Sequence, residues 1–183
     1  LGVHDRTSNP NWESAEFGYF DNYEGTEEAE LQVQTHMWQF LVNEVAQAES
    51  AGKSVGIFHY SPHEVTWWRK YANRFAGKDG VPTIDELNTF ITRYFVDLLK
   101  YTRRIAFPLT GYSIKTLAPY AGFKWRMDDA GGGNSLIKYQ TATSKSASEA
   151  SKTDAINWLR EYNEDDVRAT FAVRNAIRKL NIS

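Results

Sequence analysis

Apolar residues recur at helical spacing through the C-terminal segment from Thr153 to Leu180: Ile156, Leu159, Tyr162, then Ala169, Val173, Ile177 and Leu180. Residues so spaced share one face of a helix, and that face packs on the core. Asp166 interrupts the stripe at its centre. An ionised carboxylate in such a place costs several kcal/mol unless donors, cations or a metal ion compensate. The misfit therefore marks Asp166 as a candidate functional residue.

The rest of the chain alternates between periods. Leu1 to Asp5 and Phe17 to Tyr23 read as two short strands joined by polar residues, an antiparallel pair. Thr26, Glu27 and Glu28 open a helix carrying Leu31, Val33, Met37, Trp38, Leu41, Val42 and Val45, and Gly52 closes it. The run Ser54 to His59 predicts a buried strand, and Pro62 opens a helix through Trp67, Trp68 and Tyr71. Asp85 to Tyr94 predicts a helix, Phe95 to Leu98 a short apolar piece, and Ser113 caps a helix with Ile114, Leu117 and Tyr120. Asp128 to Ser148, with glycines at 131, 132 and 133, predicts a mobile loop. Strands first and helices interleaved afterwards predict an α/β fold, a mixed sheet flanked by helices.

With 183 residues and 42% hydrophobic content, the chain suffices for one domain with a sizeable core. The net charge of -2 announces no global basic field, so a nucleic-acid surface would have to be local. The absence of cysteine removes disulfides and thiolate metal sites, and the cytoplasm is the expected location. No apolar run approaches the roughly 20 residues of a membrane span. The first residue is Leu1 rather than methionine, which suggests a fragment or one domain of a larger protein.

Several spacings invite chemistry. Gly52-Lys53-Ser54 is no phosphate loop, because Gln47 stands where the motif needs glycine and the tripeptide precedes a strand. The glycine triplet lacks a strand before and a helix after, so it aims no amides at a phosphate. His59 and His63 are close enough in sequence for a zinc reading, but Pro62 distorts the spacing and no third ligand is in motif-like position. Glu64 follows the carboxyl end of a buried strand, where α/β sheets collect ligands. Paired with Asp166 it could hold divalent metal, for which hard oxygen donors suit magnesium or manganese. Read as structure alone, Glu64 is a first-turn helix carboxylate and Asp97 a cap. Tyr162 lies one helical turn from Asp166, able to orient a water beside it or to serve as a core aromatic.

These residues resemble a known family. His59-Tyr60-Ser61-Pro62-His63-Glu64 is similar to the second motif of the DEDD exonucleases, His-Asn-x-x-Phe-Asp after a central strand. Tyr162-Asn163-Glu164-Asp165-Asp166 resembles their third motif in its tyrosine form, Tyr-x-x-x-Asp. Between them, Val96-Asp97-Leu98-Leu99 and Gly111-Tyr112-Ser113-Ile114-Lys115-Thr116-Leu117 resemble segments of the RNase H-like domain of predicted RecB-family nucleases.

The resemblance implies an RNase H-like three-layer fold and hydrolysis of DNA or RNA phosphodiesters, 3'-to-5', with two Mg2+ or Mn2+ ions. It implies metal ligation by Asp166 and Glu64, with Asp97 a third candidate, and positioning of the nucleophilic water by Tyr162. Two departures stand out. Glutamate replaces aspartate at 64, and the Asp-x-Glu first motif is absent from Leu1 onward, so that motif and the first strand are expected upstream. Single-stranded nucleic acid is the expected partner, through His59, Tyr60, Arg69, Lys115 and Trp125, bases and aromatics suited to phosphate contact and stacking. Solvated helix faces are the plainer reading of the same charges. A fused RecB-like nuclease or helicase domain is a further expected partner. The alternative function is a catalytically incomplete binding or scaffold module.

Overall fold

The computed structural model describes residues 2–4, 16–105, 111–127 and 131–180. β1 (Gly2–His4) and β2 (Glu16–Gly18) pair antiparallel with Val3 opposite Phe17, as the sequence predicts. Leu1, Asp5 and the connection between the strands lie outside the described residues.

α1 (Glu27–Ser50) begins where Thr26 accepts a hydrogen bond from the Ala29 N–H, and three glutamates in its first turn favour the helix dipole. It ends as predicted at Gly52, whose φ of +69° suits glycine. β3 (Ile57–His59) then runs parallel to β4 (Phe95–Asp97), and the crossover between them carries α2 (His63–Arg74) and α3 (Ile84–Tyr94). A reciprocal Thr83–Glu86 capping box starts α3. At the turn before it, Gly80 has φ +75° and no room for a side chain, since a Cβ would fall 2.5 Å from Thr35 on α1.

Among the described residues the strands form two separate two-stranded sheets, which corrects the single mixed sheet expected from the sequence. The parallel ladder stops after three residues because the Asp97 carboxylate accepts the Leu99 N–H and turns the chain into α4 (Leu98–Thr102). Further on, α5 (Ile114–Leu117) is capped by Ser113 as expected, and a 3-10 turn, Ala118–Ala121, follows.

The expected loop from Asp128 to Ser148 is also corrected. Residues 128–130 lie outside the described residues, but Gly132–Thr143 forms a helix, α6, with Gly131 at its N-cap. Local propensity argues against it, and packing overrides propensity: Ala142 is buried against Ala155 and Leu159 of α7 (Glu149–Lys179). Small residues at that contact let the two helices approach closely.

Among the described residues the core lies in three clusters. Trp68, Tyr71, Ala72, Phe75 and Leu87 join α2 and α3 under Leu31, Trp38 and Leu41 of α1. Tyr60, Leu98, Leu117, Ala118 and Phe123 meet Ala169, Ala172 and Val173, which fastens the end of β3 to the middle of α7. The α6–α7 contact is the third. Among the described residues no helix is long and apolar enough to cross a membrane.

Candidate active site

The end of β3 is built by hydrogen bonds that the sequence motif does not reveal. Ser61 has φ +80°, a left-handed conformation that strains a residue with a side chain. Two contacts hold it there. Its N–H donates to Asp97 Oδ1 at 3.0 Å, and its carbonyl accepts from His59 Nδ1 at 2.7 Å. Asp97 therefore serves both sides of the sheet end, since the same oxygen caps α4. Of the two sequence readings of Asp97, the cap is the one its contacts realise.

This turn delivers Glu64 to the first turn of α2, 45% exposed and 3.6 Å from the buried His59 ring. Burial opposes charge on His59, but hydrogen bonding to Glu64 and the Ser61 carbonyl, with the negative charges of Glu64 and Asp97, outweighs it and raises the imidazole pKa. His63 is engaged elsewhere: its Nε2 accepts the indole N–H of Trp67 at 2.9 Å. The two histidines thus serve different partners, and the zinc reading loses its geometry. Tyr60 is buried, and its hydroxyl donates to the Tyr112 carbonyl, beside Thr102. Arg69, on the exposed face of α2, donates to Asn88 at 3.0 Å.

On α7 the ridge Trp158, Tyr162, Asp166 advances by four residues at each step, so the three side chains lie one above another. The Trp158 and Tyr162 rings stack at 5.2 Å and 12°. Asp166 is partly open, and its Oδ1 accepts from Lys115 Nζ at 2.7 Å and from Trp125 Nε1 at 2.9 Å. The same ammonium lies 4.1 Å from the Trp125 ring centroid and 4.8 Å from that of Tyr162, a cation bracketed by two aromatic faces. Burial, followed by the charge and hydrogen bonding of Asp166, pushes the Tyr162 phenol up to about 12.

The carboxylate on the core face of α7 is Asp165 and not Asp166, which corrects the sequence reading of the stripe. Asp165 is 2% exposed. It accepts the Arg126 backbone N–H at 2.8 Å and the Arg126 Nε at 2.7 Å, and that guanidinium also reaches Glu164 and the Glu161 carbonyl. These bonds offset the several kcal/mol that burying a lone charge would cost. Glu164, despite the opposing effect of burial, is held below the usual carboxylate range by Arg168, Arg126 and Tyr19. The pairing of Asp165 with Arg126 has no local sequence signal, because it joins positions 39 apart. The partial exposure of Asp166 leaves it the accessible acid of the pair.

The candidate residues thus fall into two sets. His59, Glu64 and Asp97 gather at the ends of β3 and β4, and Lys115 of α5 and Trp125 meet Tyr162 and Asp166 of α7. The two sets lie on elements that pack together through the Tyr60–Ala169 cluster. Among the described residues, however, no three His, Asp or Glu side chains group closely enough to hold a metal ion. Glu64 and Asp166 have the donor chemistry for Mg2+ or Mn2+ but not the number.

A family model described as RNase_H superfamily matches residues 12–178. The comparisons with curated proteins and with solved structures gave no match.

Proposed function

The chain belongs to the RNase H superfamily, and from that premise we propose that it is a nuclease domain, a 3'-to-5' exonuclease acting on single-stranded DNA or RNA. The observation that carries the site assignment is the Tyr162–Asp166 pair: a protonated phenol one turn from an accessible carboxylate, on the helix that packs against the end of β3. In this reading Asp166 and Glu64 would contribute carboxylates to a Mg2+ or Mn2+ site, which the described residues do not complete by themselves. Bound ions of this kind would polarise the phosphodiester and lower the pKa of an attacking water.

The protein's own groups do the positioning. Tyr162 donates a hydrogen bond to the water that attacks phosphorus, Lys115 balances the charge of Asp166 and reaches the phosphate, and His59 orients Glu64. Asp97 supports the site from behind by fixing the Ser61 turn.

The test is cleavage by the protein, with Mg2+ or Mn2+, of single strands labelled at either end. Loss of cleavage in Asp166→Asn, with product shortening from the 3' end, supports the reading; equal cleavage by wild type and variant overturns it. The lack of a three-acid group among the described residues favours a second reading, a binding module without catalysis. That module would bind labelled strands and cut none of them.

A further inference from the structure

We propose that Trp67, backed by Lys70, is a base-stacking site for the single strand, at the Glu64 edge of the candidate active site; this deepens the nucleic-acid reading above and rests on it. α2 turns Trp68, Tyr71 and Ala72 into the core and leaves Trp67 53% exposed. An indole so exposed forgoes the burial that stabilises its neighbour Trp68, by about 25 cal/mol for each Å² left in water. Nothing in the packing of the helix calls for it there.

The ring is nevertheless held in place. Its N–H donates to His63 Nε2 at 2.9 Å, and the His63 ring meets it edge-on at 6.1 Å and 70°. Lys70, one turn further on, places its ammonium 4.5 Å from the indole centroid. Trp67 is also one turn from Glu64, since residues three apart share a helix face.

The ammonium lies over one face of this exposed indole, and the arrangement is complementary to a nucleotide: the base stacks on the face the lysine leaves open and the phosphate meets the lysine. The two aromatics that the sequence offers for stacking are less open. Tyr60 is buried, and Trp125 is partly buried against the Tyr60–Ala169 cluster. Stacking tolerates any base, so the site reads single strands without sequence preference and disfavours duplexes, whose bases are already stacked.

The experiment is fluorescence anisotropy of a labelled oligothymidine and of the matching duplex, without divalent metal, using the full chain. Trp67→Ala should weaken single-strand binding by about 5- to 100-fold with an unchanged salt slope, and Trp67→Phe should restore most of it. Lys70→Ala should flatten the slope of log affinity against log salt by about 0.7, the share of one phosphate contact on a single strand. Circular dichroism confirms that each variant is folded. Trp67→Ala binding as tightly as wild type overturns the stacking site, and cleavage that depends on Asp166 would then leave the nuclease reading standing. Wild type that binds no strand at low salt overturns both.

Discussion

Lys115 Nζ and Asp166 Oδ1 lie 2.7 Å apart across 51 positions of sequence, and the Tyr162 ring lies under the same ammonium. A carboxylate, a cation and a phenol therefore form one electrostatic unit. Its consequence is measurable on Tyr162.

The Tyr162 phenol is raised from an ordinary value near 10 to about 12, first by burial and then by Asp166. A tyrosine raised in the folded state contributes stability that is fully present below the unfolded pKa of about 10 and is lost as pH rises through the folded value. Spectrophotometric titration of wild type minus Tyr162→Phe should show a phenol ionising near 12. Asp166→Asn should lower that midpoint while leaving the part due to burial. An unchanged midpoint in Asp166→Asn would show that Tyr162 and Asp166 are not coupled.

Asp165 is the acid on which stability depends. Asp165→Ala deprives a backbone N–H and a guanidinium of their acceptor, and Arg126 is itself 47% exposed and can regain water. The expected loss is about 2–4 kcal/mol in urea unfolding. Asp166→Ala, removing a half-open carboxylate, should cost about 1 kcal/mol or less. The reverse order would place Asp166 on the core face.

Asp97 separates a supporting role from a ligand role. Asp97→Ala should cost about 1–2 kcal/mol through the lost α4 cap and the released Ser61 turn. Asp97→Asn, which retains an accepting oxygen, should recover most of that. Hydrogen exchange at the Ser61 and Leu99 amides is the direct readout, because both donate to the same Asp97 oxygen. Unchanged protection in Asp97→Ala would remove the cap.

Local signals in this chain were legible wherever the side chain and its backbone partner are neighbours. Thr26, Ser113 and the Gly52 stop mark helix ends through bonds spanning a few residues, and all three act as their chemistry requires. The Tyr162–Asp166 spacing belongs to the same class, since one turn of helix fixes it. α6 did not, because its stability comes from Ala142 seated on α7 rather than from residues such as Gly132, Gly133 and Ser135 that compose it.

The order of residues was enough to define the helix faces, the strand beside the candidate acids and the acid types available for chemistry. Which acid of α7 faces inward was left to the packed fold. Asp165 and Asp166 are adjacent on the helix, about 100° apart, and a 3.6-residue period admits either to the margin of the core stripe. The choice was made by Arg126, arriving from a distant segment with a backbone N–H and a guanidinium that satisfy one carboxylate in the core. Lys115 and Trp125 settle on the other, at the surface. No local rule contains that outcome, because burying a charge is tolerable only where its partners are, and the fold alone brings them there.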